Sequence, residues 1–516
     1  MPNASIDQAD VIAFLSDPAT YGRDCEGVEI HETHGAVVFL AGERAYKLKR
    51  AVHYPYMDYS TPAIRAAMCK AELTVNRRTA PDLYLEVLSI VRMKTGRLRL
   101  GAEDEGGEAI DCVVVMRRFA QADLLEERRK RGTLEPSVML ALGEAVARFH
   151  AAAEVSPQWG GAAGIARVID ENVRMFRQFA GSPFDPAKTA EYEQRSRTTF
   201  GAFSAALEAR RRAGWVRRCH GDLHLNNICM INGAPLLFDA IEFNDDFSCI
   251  DVYFDLAFIL MDLHRHGLDT FANALFNRYV ETTGDLGLQP LPLFLSCRAA
   301  IRAHVAAAGA AQGADRTDRL REANELLALS LRLLEPMAPT LIAIGGFSGS
   351  GKSTVAAALA PSLGRVPGAV VLRSDVIRKR LFGVDRNDRL PAEAYSAAAS
   401  DLIYREMIET AEAVLTAGQS VIVDAVFGQP SERSAIRAMA TRLETDFQGL
   451  WLDAPVDCLS RRIATRTGDV SDATDDVLRR QVATLRRPDD WNVVDASGSV
   501  HAVTLAAQQI LGIAPP

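Results

Sequence analysis

The sequence predicts two domains: an α+β domain with an N-terminal sheet and a helical C-terminal lobe over residues 1–336, then an α/β domain on a parallel sheet over residues 337–516. Three observations carry this. At 516 residues the chain is long for a single hydrophobic core. Its pattern runs from short strands to Ala-, Leu- and Arg-rich helices, then changes to alternating strands and helices beyond Pro336 and Pro339. The first strand after that change leads into a glycine-rich loop and then a helix.

Within the first domain, residues 36–40 form an apolar run, Gly42 and Glu43 supply turn chemistry, and residues 45–48 begin the next strand. Residues 61–78 have helical character. Strand-like runs return at 85–91 and 111–119, with a Glu- and Gly-rich hairpin loop at 101–107 between them. From 137 to about 334 the pattern is mainly helical. A strand–turn–strand island at 227–238 interrupts it, turning on Asn232-Gly233, the dipeptide that best tolerates positive φ at both central positions. In the second domain, 340–344, 369–372, 420–423 and 450–452 are the candidate strands, and their alternation with helices predicts a parallel sheet.

Composition narrows the function classes. Apolar residues at 48% and charged residues at 24% are those of an ordinary globular protein. A net charge of -8 argues against a basic face built to hold nucleic acid. The basic run at 128–131 follows Glu126 and Glu127 and reads as a mixed-charge helix face. The eight cysteines show no CxxC pair, as expected of buried reduced thiols. The first residues are polar and acidic, unlike a signal peptide, and no apolar run approaches the roughly 20 residues of a membrane span. The expectation is a cytoplasmic protein without nucleic-acid or membrane partners; the sequence does not set its oligomeric state.

Residues 346–353, Gly-Phe-Ser-Gly-Ser-Gly-Lys-Ser, satisfy G-x-x-x-x-G-K-[ST] between a strand and an Ala-rich helix opened by Thr354. Gly346, Ser348, Gly349, Ser350 and Gly351 would turn backbone N–H groups toward phosphate oxygens, with the helix N-terminus behind them. Lys352 would reach the β- and γ-phosphates, and Ser353 would ligate Mg²⁺. Asp424, ending the run Val421-Ile422-Val423, fits a metal-orienting role, and Asp375 fits a base or substrate anchor. Helix N-capping is the plainer reading of both. Arg461, Arg462 and Arg466 lie in a polar stretch where an arginine would close over the transferring phosphoryl group; a charged surface helix is the plainer alternative.

In the first domain, His220-Gly221-Asp222-Leu223-His224-Leu225-Asn226-Asn227 keeps the H-x-D-x-x-x-x-N spacing of a kinase catalytic loop. Asp222 would accept the proton of the attacking hydroxyl, Asn227 would hold Mg²⁺, and Asp239 on the next hairpin would be the second metal ligand. Lys47 matches the strand lysine that pairs with the phosphates, and Glu72 is its natural partner. Taken singly, Lys47 and Lys49 read equally well as solvent-facing strand residues, Glu72 as an exposed helix residue, and His220 as a structural brace.

HGDLHLNNI, LLFDAIEF and DVYFDLA resemble the aminoglycoside-phosphotransferase and choline-kinase branch of protein-kinase-like folds, over roughly residues 28–335. The resemblance implies Asp222 as base, Asn227 and Asp239 as metal ligands, Lys47 on phosphate, residues 116–119 beginning at Met116 as the adenine hinge, and Asp255 as a brace of the catalytic loop. It departs at 31–35, where one glycine stands in place of three, and at Asn226. Glu242, Asp245 and Asp246 are candidates for an acidic acceptor pocket or a solvated loop. The P-loop, SDVIRK, VIVDAVF and the RRIATR…SDA stretch resemble small-molecule kinases of the gluconate-kinase and zeta-toxin type over roughly 340–512. Together they lead to the expectation of a bifunctional enzyme that moves a γ-phosphoryl group from ATP, or another nucleoside triphosphate, to hydroxyls of small molecules with Mg²⁺. Two alternatives stand beside it: one active kinase domain with the other a nucleotide-binding regulatory module, or a P-loop ATPase.

Overall fold

The computed structural model describes residues 8–54, 56–101, 107–310, 316–386, 388–465 and 470–513. The chain forms two compact units, residues 1–165 with 208–259, and 166–207 with 260–516.

The first unit holds an antiparallel sheet of β1 (Val28–Glu32), β2 (Ala36–Ala41), β3 (Arg44–Lys49), β4 (Tyr84–Arg92), β5 (Leu98–Gly101) and β6 (Glu108–Arg117), in the order β1-β2-β3-β6-β4-β5. Alternation along the central strand β6 decides which core each residue joins. Val113 and Val115 pack with Phe39, Leu48, and Val11 and Leu15 of the helix Gln8–Ser16. Cys112 and Val114 pack with Tyr84 and with Cys69 of the helix Pro62–Asn76. Thr61 caps that helix by accepting from Ile64 N at 3.3 Å, and proline fills its first turn, where the missing N–H costs nothing.

The helix Gln8–Ser16 and the strands β1 and β5 were not expected from the sequence. Each is short and buries little: only Val11 and Leu15 of the helix are buried, and β1 and β5 bury no residue fully. Most of the expected loop at 101–107 lies outside the described residues. The Asn232-Gly233 turn joins β7 (Ile228–Ile231) to β8 (Ala234–Leu237) with φ of 52° and 78°, positive at both centres as expected. The mixed-charge helix also forms: Arg129 pairs with Glu126 at 2.8 Å and Lys130 with Glu127 at 2.7 Å.

The second unit contains a wholly parallel sheet of β9 (Thr340–Gly345), β10 (Val370–Arg373), β11 (Val421–Asp424), β12 (Asp446–Asp453) and β13 (Asn492–Asp495), in the order β10-β11-β9-β12-β13. Ile342, Ile344, Ile422 and Leu450 pack against Val355 and Leu359 of the helix Lys352–Leu359. This sets the glycine-rich loop at the C-terminal end of the central strand.

The outer edge of β10 is covered by side chains rather than by another strand. Asn277, on the helix Asp269–Thr283, accepts from Val371 N at 2.7 Å and donates to Ala369 O at 3.1 Å. Asn273 donates to Pro367 O and Ala369 O, both at 3.0 Å. A carboxamide carries the same donor and acceptor as a peptide group, so the two asparagines stand in for a neighbouring strand.

The helix Leu291–Gly309 corrects the expectation that no apolar run approaches membrane-spanning length. At 19 residues it is long and apolar enough by length and composition, but 78% of its most apolar 18-residue window is buried in the protein. The eight cysteines are free, and six of them are buried.

His304 lies on this helix with Nε2 3.1 Å from Asn172 Oδ1, and burial lowers its pKa to about 4. The unfolded chain therefore takes up this proton first as pH falls, so stability is lost between the unfolded value of about 6.5 and the folded value of about 4. We expect that loss to reach about 3 kcal/mol at the low end. Urea unfolding of the wild type at pH 7 and pH 4.5, set against His304→Gln, measures it; the substitution should flatten the pH dependence.

Candidate active sites

The catalytic-loop motif follows the short strand Val216–Arg218 in the first unit. Gly221 sits at φ 84°, and a Cβ there would stand 2.8 Å from Phe247 O, so the turn admits only glycine. Fully buried Asp255 holds the loop backbone, as the sequence implied: it accepts from His220 N at 3.0 Å and Gly221 N at 2.8 Å. His150 Nε2 lies 3.0 Å from the same carboxylate. His220 is a brace. Its Nδ1 accepts from Asp222 N at 3.3 Å, which leaves Nε2 to donate to Phe238 O at 2.9 Å. Burial lowers its pKa, in keeping with this neutral tautomer.

The Asp222 carboxylate is fixed yet reachable. Asn227 Nδ2 donates to its Oδ2 and to its backbone oxygen, both at 2.9 Å. His224 Nε2 stands 3.3 Å from Oδ2, and 37% of the Asp222 side chain is exposed. Asn227 is buried.

Lys47, Glu72 and Asp239 come together although 192 residues separate the first from the last. Lys47 Nζ donates to Glu72 Oε1 at 2.8 Å and to Asp239 Oδ1 at 2.5 Å. Burial alone would pull the Lys47 pKa down, but Asp239 and Glu72 hold it well above the ordinary value. Burial likewise opposes ionisation of Glu72, yet Lys47 and Lys49 bring its pKa down to about 2. Both readings of these residues as exposed are thereby overturned: the Glu72 side chain is fully buried and that of Lys47 is 16% exposed.

Asp239 adopts φ 63°, the left-handed region that a non-glycine residue enters at a cost of about 1–2 kcal/mol. Its N–H donates to Tyr84 Oη at 3.0 Å, and Ala240 N donates to Asn76 Oδ1 at 2.7 Å, which holds the turn in place. Met116 pairs with Ala45 and Tyr84 near the end of β6, where the hinge was expected.

Lys49 was missed. It lies two residues after Lys47 on the same strand, so it presents the same face, and the solvent-facing reading is wrong. Its side chain is 2% exposed, with Nζ 2.5 Å from Glu72 Oε2, 2.5 Å from Glu242 Oε1 and 3.3 Å from Tyr59 Oη. Tyr59 Oη donates to the same Glu242 oxygen at 2.7 Å. Glu242 is therefore engaged inside the protein, and Asp245 pairs with Arg218 at 2.7 Å.

In the second unit Lys352 Nζ donates to Gly346 O at 2.9 Å and Phe347 O at 3.1 Å, curling back over the loop it belongs to. Gly349 has φ 83°, and a Cβ there would meet Leu459 O at 2.8 Å. Ser348 N donates to Gln481 Oε1 at 2.9 Å, and buried Ser350 and half-buried Gly351 complete the turn into the helix, on which Thr354 is exposed.

Ser353 Oγ donates to Asp424 Oδ2 at 2.5 Å, which brings together the two residues expected at the metal. Burial raises the Asp424 pKa, while Lys352, Arg373 and Ser353 oppose that rise. Asp424 ends its strand with no helix opening on it, so it is not a cap. Asp375 lies in the first turn of the helix Ser374–Leu381, whose N-cap is Arg373, so the capping reading fails there too.

Arg466 lies outside the described residues. Arg461 bonds Asp457 O at 3.3 Å and Arg462 bonds Gly498 O at 3.0 Å, which makes both surface-helix contacts. Asp472 accepts from Leu390 N at 3.0 Å and Tyr395 Oη at 3.1 Å and thereby ties down the segment around residue 390.

Two separate stretches of the chain match two different family profiles. Residues 61–291 match the profile described as "Phosphotransferase enzyme family", and residues 341–488 match that described as "AAA domain". Uncharacterized proteins of Mycobacterium tuberculosis and Mycobacterium bovis are 29% identical over 487 residues, 91% of this chain and 93% of theirs.

Among solved structures, the GDP and kanamycin complex of APH(2")-IIIa is 13% identical with a TM-score of 0.36, covering 62% of this chain and 97% of that one. A choline/ethanolamine kinase family protein from Mesorhizobium loti is 15% identical with a TM-score of 0.35, covering 63% and 98%. A sugar kinase from Janibacter is 24% identical with a TM-score of 0.26, covering 34% and 96%. The chain thus carries a phosphotransferase-family domain fused to a separate P-loop, AAA-type nucleotide-binding domain. It is an ATP-dependent phosphotransferase, with ATP or another nucleoside triphosphate as substrate.

Proposed function

We propose that residues 1–336 transfer the γ-phosphoryl group of a nucleoside triphosphate to a hydroxyl of a small molecule, and that residues 337–516 bind and hydrolyse nucleotide as a regulatory module. The observation that carries the first half is the convergence of Lys47, Glu72 and Asp239 in the same unit as the Asp222–Asn227 pair. In this reading Asp222 takes the proton of the acceptor hydroxyl, and Asn227 holds the Asp222 carboxylate toward it. Lys47, charged and held by Glu72, exchanges Asp239 for phosphate oxygens, and Met116 lies against the base.

Asn227 and Asp239 offer the neutral and anionic oxygen donors that suit Mg²⁺. Mg²⁺ bound there would neutralise charge on the phosphates. Glu242 and Asp245, engaged by Lys49 and Arg218, are two of the three acids that were candidates for a polycation-binding acceptor pocket, so the acceptor is read as a neutral or anionic alcohol.

For residues 337–516, the AAA-domain match supports hydrolysis and regulation above a second transferase. The bifunctional alternative rests on Asp375, which caps nothing and would serve as base, with Arg466 over the phosphoryl group. The cytoplasm remains the proposed compartment, in keeping with six buried free thiols.

Following ADP release by wild type, Asp222→Ala and Lys352→Ala against a library of sugars, aminoglycosides, nucleosides and other alcohols tests the division. We expect Asp222→Ala to remove every acceptor-dependent activity and Lys352→Ala to remove only acceptor-independent hydrolysis. An acceptor-dependent activity that survives Asp222→Ala and disappears with Lys352→Ala would restore the bifunctional reading.

A further inference from the structure

We propose that Lys49 is a positioning residue of the N-terminal nucleotide site, which sets Lys47 through Glu72 and Asp239 through Glu242. The inference rests on the reading of residues 1–336 as a nucleotide site and extends it to residues outside the expected motif. Five charges alternate along one chain of contacts: Asp239, Lys47, Glu72, Lys49, Glu242. They join three parts of the unit, strand β3, the helix Pro62–Asn76 and the segment that follows β8.

Glu72 is divided between the lysines, Oε1 to Lys47 and Oε2 to Lys49. A carboxylate held at both oxygens keeps one orientation, and Lys47 takes its direction from it. Lys49 also reaches Glu242, three residues past Asp239, and so anchors the far side of the turn whose near side is held by Tyr84 and Asn76.

An ammonium group has three donors. Those of Lys49 meet Glu72, Glu242 and Tyr59, so none is left for a phosphate. The residue therefore acts through its neighbours. Without it, Glu72 would draw on Lys47 alone, and Glu242, whose side chain is 5% exposed, would lose its counter-charge. Lys47 would then be held back from phosphate, and Asp239 would be freed from its register. The first effect weakens nucleotide binding with or without metal, and the second adds a loss that appears only with Mg²⁺.

The test uses the full chain with Lys352→Ala as background, so that the P-loop is silenced. Titration calorimetry with a non-hydrolysable ATP analogue over a range of Mg²⁺ concentrations then reads the N-terminal site. We expect Lys49→Met to weaken affinity in the presence of Mg²⁺ about tenfold and to raise the half-saturating Mg²⁺, while metal-free affinity falls by a clearly smaller factor. Lys49→Arg should recover part of the loss.

A lower melting temperature with unchanged Mg²⁺ dependence would mean a structural role only and would overturn the inference. If Lys49→Met does not fold, Glu242→Gln cuts the same tether, and an unchanged Mg²⁺ requirement there overturns it equally. No nucleotide binding at all in the Lys352→Ala parent would instead defeat the underlying reading of the site, and the inference with it.

Discussion

Asp222→Ala is expected to lower acceptor-dependent phosphoryl transfer by about 10²–10⁴-fold, the usual contribution of a positioned general base. The loss should fall on kcat, because the Asp222 carboxylate is held by Asn227 beside the catalytic loop while Lys47, Glu72 and Asp239 remain intact. Asp222→Asn is the sharper variant: it keeps the size and much of the hydrogen bonding to Asn227 and His224 but removes the basic oxygen. Steady-state kinetics with whichever acceptor the library yields should show kcat reduced in both variants and KM for the nucleotide within about threefold of wild type. A large rise in nucleotide KM with kcat preserved would make Asp222 a binding residue and leave the base unassigned.

The parts of the fold that could be read from the sequence are those where local rules and tertiary packing agree. Asn232-Gly233 demands positive φ at both centres and obtains it. The glycine-rich string sits between a strand and a helix, as a phosphate loop requires. The helix Gln8–Ser16 and the strands β1, β5 and β13 escaped because each is short and carries too few buried residues to mark a pattern. The asparagine cover on β10 was equally hidden. Asn273 and Asn277 carry no local signal, and their partners lie more than 90 residues away.

The candidate sites divide in the same way. Residues in a spaced motif, His220, Asp222, Asn227 and Lys352 to Ser353, were nameable because the chemistry fixes their separation along the chain. Lys49 and Glu242 belong to no such string. Strand alternation does place Lys47 and Lys49 on one face, but it does not say whether that face meets water or the Glu72 helix. Burial decided it: two lysines on one buried face require carboxylates, and Glu72 and Glu242 are those carboxylates. Two of the three acidic residues offered to an acceptor, Glu242 and Asp245, turned out to serve the protein's own charge balance.

Lys352→Ala should weaken nucleotide binding by residues 337–516 about 10²–10³-fold. Lys352 donates to Gly346 O and Phe347 O, and those contacts hold its ammonium over the loop whose backbone would cradle phosphate. On binding, the ammonium would exchange carbonyl partners for phosphate oxygens, and one or two charge-assisted hydrogen bonds are worth about 1.5–3 kcal/mol each. At about 1.4 kcal/mol per tenfold, two such bonds account for the expected loss. Fluorescent-nucleotide titration of Lys352→Ala in an Asp239→Ala background isolates this site, since the N-terminal constellation is then disabled. Ser353→Ala provides the control for mechanism. It removes the 2.5 Å partner of Asp424 without touching the ammonium, so it should lower affinity in the presence of Mg²⁺ and leave metal-free binding nearly unchanged. Equal losses with and without Mg²⁺ in Ser353→Ala would mean that the hydroxyl only braces the strand end, and the pairing of Ser353 with Asp424 would then be structural.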